Sequence, residues 1–160
     1  MKSGAITRLR HFRGHGIHSP FVYSLIRNIL MKRHIECERH DLYDELRRRG
    51  AGKHWAVQLQ NLFCGLHYET FRFLSQDQMP AQLGVGEMCI AGPEIAADAL
   101  PASPPEGGRA LLCLLSPVSG RTRHQAVNGT IESHNGTSID NRNYVLLFYD
   151  QALPKQHFKL

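Results

Sequence analysis

The apolar run from Ala110 to Leu115, Ala-Leu-Leu-Cys-Leu-Leu, is the sequence feature that most constrains the fold. A strand without polar alternation must be covered on both faces, which is typical of parallel sheets that lie between helices. The run ends at Ser116-Pro117. It therefore predicts a buried strand in a layered α/β protein.

A glycine turn precedes this strand at Gln82-Leu83-Gly84-Val85-Gly86-Glu87. We interpret Met79 to Gly86 as a short strand that ends in this turn, and Ile90 to Leu100 as the helix that follows. Glycines lack a Cβ, so the backbone can approach a ligand closely, and a helix N-terminus would point free N–H groups at it. The predicted cofactor contacts are Gln82, Gly84, Val85, Gly86 and Glu87. An ordinary turn is the alternative, because such glycine pairs arise easily by chance.

The turn, its helix and the buried strand together predict a βαβ unit with a parallel strand pair. Before it, apolar spacing predicts an N-terminal helical part. Its three helices run from Pro20 to Lys32, Asp41 to Arg49, and Trp55 to Leu66. Ser19-Pro20 is a typical start, with serine as N-cap and proline as first helical residue. His67 to Leu74 either continues the third helix or forms a short packing segment.

After the buried strand, Gly120 to Gly136 is polar and shows no clear periodicity. Thr137 to Asp140 and Tyr144 to Tyr149 predict an antiparallel strand pair, and Lys155 to Leu160 an edge segment. The predicted fold class is α/β, a partial Rossmann-like sheet with N-terminal helices and a C-terminal antiparallel hairpin. One domain would cover 1–160, with a helical part (1–78), a cofactor-loop region (79–120) and a terminal hairpin (137–160).

Composition favours a single water-soluble domain. The chain has 160 residues and a mean hydropathy of −0.33, and no apolar run approaches the ~18 residues that a membrane helix needs. The basic stretch from Met1 to His18 lacks the apolar core of a signal peptide, so we expect a cytoplasmic protein. In that compartment the widely spaced cysteines are expected to be free and mostly buried thiols: Cys37, Cys64, Cys89 and Cys113.

The net charge of +5 admits a nucleic-acid partner. Basic residues gather in Lys2 to Arg13 and in Arg47 to Arg49, but acidic residues accompany the second cluster. A solvated helix face is therefore the favoured interpretation. The sequon-like stretches Asn128 to Thr130 and Asn135 to Thr137 are interpreted as turns. We predict no metal site, although His11, His15 and His18 lie close together, because no cysteine or carboxylate nearby completes a ligand set.

The ends of the chain resemble a known family. His15-Gly16-Ile17-His18-Ser19-Pro20-Phe21-Val22-Tyr23 is similar to an N-terminal signature of bacterial class I S-adenosylmethionine-dependent methyltransferases, best known from Bacteroidetes. Leu153 to Phe158 is similar to the closing segment of the same group. The glycine turn at Gln82 to Gly86 then falls where the family places its cofactor loop. The resemblance covers about Arg10 to Leu115 and Ser138 to Leu160.

The resemblance implies a Rossmann-like sheet that binds S-adenosylmethionine at the carboxyl ends of its first strands and transfers a methyl group to an unidentified acceptor. Methyl transfer depends on positioning, so the catalytic residues stay unassigned. The chain departs from the family at Gln82, Met88 and Leu115, where an acidic residue, a glycine and a carboxylate are usual. About twenty residues separate Leu115 from Thr137, too few for the family's middle strands, since a βαβ unit takes about 30.

Three hypotheses follow. The first is a methyltransferase-related protein that binds S-adenosylmethionine. The second is a non-catalytic module that self-associates or binds a partner through sheet edges, which the missing strands would otherwise cover. The third, and least favoured, is a basic nucleic-acid-binding module that uses Arg8, Arg10, Arg13 and Arg47 to Arg49.

Overall fold

The computed structural model describes residues 19–96, 99–100 and 105–160. These residues form two compact units, one from 19 to 67 together with Leu160, the other from 68 to 159. The first unit is helical and the second holds a six-stranded mixed sheet, so the predicted α/β class is confirmed. The elements are α1 (Pro20–Leu25) with a π-helix (Ile26–Leu30), α2 (Asp41–Arg48), α3 (Lys53–Gly65), β1 (Thr70–Phe73), β2 (Glu87–Ala91), β3 (Ala110–Leu115), α4 (Arg121–Ser133), β4 (Thr137–Asp140), β5 (Tyr144–Tyr149) and β6 (Gln156–Lys159).

The first helix begins as the sequence predicts. Ser19 is its N-cap, with the hydroxyl oxygen accepting from the Val22 N–H at 3.3 Å, and Pro20 opens the helix. Its last turn is a π-helix, closed by the Met31 N–H donating to the Ile26 carbonyl at 3.0 Å. Helices α2 and α3 also confirm the predicted elements, and their ends differ from the predicted ones by two residues or fewer.

Three amide side chains of α3 are buried: those of Gln58, Gln60 and Asn61. Burying an amide is unfavourable unless its hydrogen bonds are restored inside the protein. Each of them bonds to main-chain groups that precede α3: Gln58 Nε2 donates to Leu30 O, Tyr43 N donates to Gln60 Oε1, Glu36 N donates to Asn61 Oδ1, and Asn61 Nδ2 donates to His34 O, all at 2.8 Å. Helix α3 therefore holds the irregular segment 31–40, which has no ladder of its own.

A disulfide joins Cys37 in this segment to Cys64 in the last turn of α3, with the Cα atoms 6.5 Å apart. The prediction of free thiols is wrong for this pair, because sequence spacing could not show that the segment folds back on α3. It is confirmed for Cys89 and Cys113, which are free and buried. Burial raises the pKa of the Cys89 thiol to about 12 and raises that of Cys113 as well.

In the second unit the strand order is β1-β2-β3-β5-β4-β6. Strands β1, β2 and β3 are parallel, β5 runs antiparallel to both β3 and β4, and β6 is parallel to β4. The predicted buried strand and antiparallel hairpin are confirmed, and β3 has a parallel partner as predicted, although that partner is β2 and not a strand at 79–86. Helix α4 packs on one sheet face through Val127 and Ile131. The core residues of that face are Leu74, Leu83, Cys89, Ala91, Ile95, Leu100, Ala110, Leu112, Leu114, Val145 and Leu147.

The region around the glycine turn differs from the prediction. The strand lies at Glu87–Ala91, after the turn, and not at 79–86 before it. The predicted helix from Ile90 to Leu100 is absent from its described residues, because Ile90 and Ala91 belong to β2 and an irregular loop follows. The reason is burial: all five residues of β2 are covered, which a sheet centre allows and a surface helix does not.

Two further elements were not predicted from the sequence. Strand β1 forms within 67–74, where a helical continuation or a packing segment was expected. Helix α4 forms within 120–136, and Asn128 to Thr130 lies inside it instead of in a turn. Only Val127 of this helix is buried, so no apolar stripe marks it in the sequence.

Asn61→Ala should lower the free energy of unfolding by about 2–4 kcal/mol, because the Glu36 N–H and the His34 carbonyl both lose a buried partner. Urea unfolding measures the loss, and hydrogen exchange should show that the Glu36 amide loses its protection. Asn28→Ala is the matched control, since Asn28 makes only an exposed contact with Ser24 and should cost below about 0.5 kcal/mol. Equal effects of the two variants would contradict the role of α3.

Candidate functional site

The glycine turn that the sequence singles out lies at the amino end of β2. Gly86 has a φ of 70°, a conformation that favours glycine. Its N–H donates to the Arg109 carbonyl and its carbonyl accepts from the Glu69 N–H, both at 2.8 Å. The turn is therefore tied into the entry of the sheet. In parallel α/β sheets, ligands bind beyond the carboxyl ends of the strands. The glycine turn lies at the opposite ends, where the strands begin.

The carboxylate of Glu87 fills this turn. Its Oε2 accepts from the Gly84 N–H at 3.0 Å. A Cβ at position 84 would stand only 2.8 Å from the same oxygen, so a larger residue there would make the end of the Glu87 side chain shift. The Gly84 N–H, which the sequence predicts to face a cofactor, therefore already has an acceptor within the protein.

Arg72 neutralises the Glu87 carboxylate across β1 and β2. Its Nε and Nη2 lie 2.8 and 2.6 Å from Glu87 Oε1, in the geometry of a charge-assisted pair. The Glu87 side chain is 7% exposed and that of Arg72 is 48% exposed. The buried Glu87 carboxylate, paired with Arg72, therefore occupies the turn in which the sequence predicted a cofactor.

The remaining predicted contacts, Gln82 and Val85, lie at the protein surface. Gln82 is exposed, and the Val85 side chain is 60% exposed. Val85 lies over Gly108, where an added Cβ would come 2.6 Å from Val85 Cγ1. The structure thus places Gly84, Gly86 and Glu87 together in one turn and leaves Gln82 and Val85 at its surface.

The family departures have structural counterparts. Met88, which stands where the family has a glycine, is fully buried in β2. Leu115 ends β3 and is 8% exposed, so no carboxylate marks the carboxyl end of this strand. Ser116 follows with a φ of 50° and donates its N–H to the Asn143 carbonyl at 2.8 Å. These positions serve the sheet and its turns.

Arg123, in the first turn of α4, is a polar group that sequence reasoning missed. Its Nη1 donates to the Ile95 carbonyl at 2.5 Å and its Nη2 to the Leu115 carbonyl at 2.9 Å. It therefore joins the loop that follows β2 to the carboxyl end of β3. Burial lowers the pKa of Arg123, while the charge of Glu94 acts in the opposite direction.

The Nε of Arg123 is buried without a hydrogen-bond partner, alone in this among the side-chain atoms of the described residues. The other guanidinium donors are already used by main-chain carbonyls, so we assign Arg123 a structural role. In the sequence, only the position of Arg123 shortly after a buried strand could have indicated this role. The role could not be inferred, because α4 was not predicted.

A serine–histidine pair lies between β4 and β6, the last two strands of the sheet order. Ser138 Oγ and His157 Nδ1 are 2.8 Å apart, joining β4 to β6, and Asp140 lies near the same imidazole. Burial lowers the pKa of His157, and Asp140 opposes this shift. Ser138 is 2% exposed. Its hydroxyl is thus shielded from any substrate, and the pair holds two strands together.

The basic cluster in α2 is largely paired. Glu45 accepts from Arg48 at 2.5 Å and from Arg49 at 2.6 Å, and these contacts lower the pKa of Glu45 to about 2. Arg47 donates to the Ala51 carbonyl. This arrangement fits the solvated helix face that the sequence favoured over a nucleic-acid surface.

Other predicted features lie outside the described residues, namely Lys2 to Arg13 and His11, His15 and His18. Within the described ranges, no group of three or more histidine, cysteine or acidic side chains is arranged to hold a metal ion. No helix in those ranges is long and apolar enough to cross a membrane.

Comparisons with family models, with curated proteins and with solved structures found no match to this chain.

A double-mutant cycle tests whether Glu87 closes the turn. Glu87→Ala should cost about 2–3 kcal/mol of unfolding free energy, because it leaves the Gly84 N–H and the Arg72 guanidinium unpaired. Arg72→Ala should cost about 1 kcal/mol, since half of that side chain is in water. The double variant should cost about 1 kcal/mol less than the sum. Urea unfolding measures all three, with the exposed carboxylate variant Glu106→Ala as a control. Strict additivity would mean that the pair does not interact.

Proposed function

We propose that the protein is a non-catalytic association module whose sheet continues into that of a second copy through the outer edge of β6. The observation that carries the proposal is the position of β6. It is the last strand of the sheet and pairs with β4 alone among the described strands. Three of its four residues are exposed. Open strand edges are templates for pairing with another chain.

The backbone of β6 determines which groups face outward. The Gln156 N–H donates to the Gly136 carbonyl at 3.4 Å, so Gln156 faces β4. Main-chain groups alternate in direction along a strand. His157 and Lys159 therefore direct their N–H and C=O groups towards the open edge.

This alternation limits the registers open to two antiparallel copies of β6, because outward-facing residues must pair with outward-facing residues. In the register that we propose, His157 of one copy stands opposite Lys159 of the other. Phe158 then faces Phe158 of the second copy across a two-fold axis, at a pair without ladder bonds, where side chains approach most closely. Burial keeps the pKa of His157 low, so a neutral ring faces the lysine near pH 7. The symmetry closes the dimer instead of starting a filament.

The alternative is the function that the family resemblance implies, an S-adenosylmethionine-dependent methyltransferase. The parallel order of β1, β2 and β3 supports it, because the carboxyl ends of β2 and β3 lie side by side, where Arg123 joins the end of β3 to the loop after β2. The Glu87 carboxylate in the glycine turn weighs against it. Our proposal keeps descent from such an enzyme and a cytoplasmic location, as the sequence suggests, without the catalytic activity.

Isothermal titration with S-adenosylhomocysteine separates the two candidates. The association module should give no heat of binding, either as the native chain or as Glu87→Ala, in which the turn is emptied. Saturable heat from the native chain would favour the methyltransferase candidate. Heat from Glu87→Ala alone would indicate a cofactor site that the carboxylate now occupies.

Lys159→Pro should shift the protein from dimer to monomer. Proline removes an outward N–H from the edge while leaving the β4–β6 ladder intact. Lys159→Ala is the matched control, since it removes the same charge and keeps the N–H. Size-exclusion chromatography with light scattering measures the mass of each. A native chain that stays monomeric at high concentration would refute the proposal, as would two variants with equal dimer fractions.

A further inference from the structure

We propose that Cys37 and Cys64 form a reversible thiol–disulfide site that exchanges with a small-molecule thiol pool such as glutathione. Such a site would give the first unit two covalent states. The inference is independent of the proposed association through β6, which lies in the other unit. It rests on how the two sulfurs are positioned, on their access, and on the group that faces them.

The two cysteines are held close together by bonds that do not involve sulfur. Glu36, the residue before Cys37, donates its N–H to Asn61 Oδ1, and Asn61 Nδ2 donates to the His34 carbonyl. Cys64 lies one turn after Gln60 on the same helix. The reduced thiols therefore stay adjacent, which gives them a high effective concentration for closing the bond again. The fold of the unit does not depend on the disulfide alone.

Access distinguishes this pair from the other cysteines. Cys37 and Cys64 are half-buried, so one side of each residue faces solvent. Cys89 and Cys113 are fully buried. Thiol–disulfide exchange requires an incoming thiolate to reach a sulfur atom. Of the four cysteines, only the first pair has any solvent exposure in the folded chain.

An amide donor faces the sulfurs. Gln60 Nε2 lies 3.3 Å from Cys64 Sγ and 3.9 Å from Cys37 Sγ. Its orientation is fixed, because Gln60 Oε1 accepts from the Tyr43 N–H at 2.8 Å. The N–H side must therefore point at the sulfurs, where it would stabilise the negative charge of a departing thiolate.

The exchange balances with two molecules of a monothiol. One glutathione thiolate attacks a sulfur of the pair, so the Cys–Cys bond breaks, a mixed disulfide forms and the other cysteine leaves as a thiolate. A second glutathione thiolate attacks the glutathione sulfur of that mixed disulfide. Glutathione disulfide is formed, the second cysteine is released, and two electrons have passed to the protein. Oxidation follows the same steps in reverse with glutathione disulfide as the oxidant.

The test equilibrates the folded native chain in buffers of increasing ratio of reduced glutathione to glutathione disulfide. Free thiols are then alkylated and counted by mass spectrometry. We expect two sites, Cys37 and Cys64, to become alkylated together in one transition, while Cys89 and Cys113 react only after denaturation. The far-ultraviolet circular dichroism should stay unchanged, and the Tm should fall by about 10 °C on reduction.

Two variants complete the test. Cys37→Ser with Cys64→Ser should fold and should match the Tm of the reduced native chain. Gln60→Leu should slow the exchange by about tenfold relative to the native chain, because the donor to the leaving sulfur is gone. The proposal is overturned if the bond persists in the most reducing buffer until the chain unfolds, if it fails to form in the most oxidising one, or if all four cysteines react together.

Discussion

The need of buried amide side chains for hydrogen-bond partners governs the first unit. The amides of Gln58, Gln60 and Asn61 are buried in α3, and each must form its hydrogen bonds inside the protein. Main-chain groups that precede α3 meet that need, among them the His34 carbonyl in segment 31–40, which forms no helix or strand. Apolar residues at these positions would also be buried favourably. They would, however, form no hydrogen bonds to the preceding segment and so would not fix its conformation. Helix α3 therefore organises the first unit through its polar side chains as well as its apolar ones.

The same requirement explains the glycine turn of the second unit. A turn with open N–H groups attracts an anion, whether it comes from a ligand or from the chain. Here the nearest anion is Glu87, three residues after Gly84, and Arg72 on the neighbouring strand balances its charge. A sequence that resembles a cofactor loop thus forms a closed internal contact. Sequence spacing alone does not distinguish the two outcomes, because the same glycine turn would serve either one.

Elements with strong local patterns could be predicted from the sequence. Ser19-Pro20 marks a helix start, Ala110 to Leu115 a buried strand, and Tyr144 to Tyr149 a strand antiparallel to Thr137 to Asp140, and the structure confirms all three. Helix α4 could not be predicted, because one buried valine gives no apolar period. The disulfide and the Glu87–Arg72 pair could not be predicted either, since each joins residues that only the folded chain brings together. The structure therefore differs from the sequence prediction more at the candidate site than in the fold.

The place of β5 in the sheet has a consequence for synthesis on the ribosome. This strand lies between β3 and β4, although it follows both in the chain. Until Tyr149 has emerged, the wholly apolar β3 lacks its partner on one side and presents an open, uncharged edge. Open apolar edges are the segments through which nascent chains aggregate. The nascent protein thus depends on β5 to protect a strand made some thirty residues earlier, a delay of about 2–6 s at ordinary elongation rates.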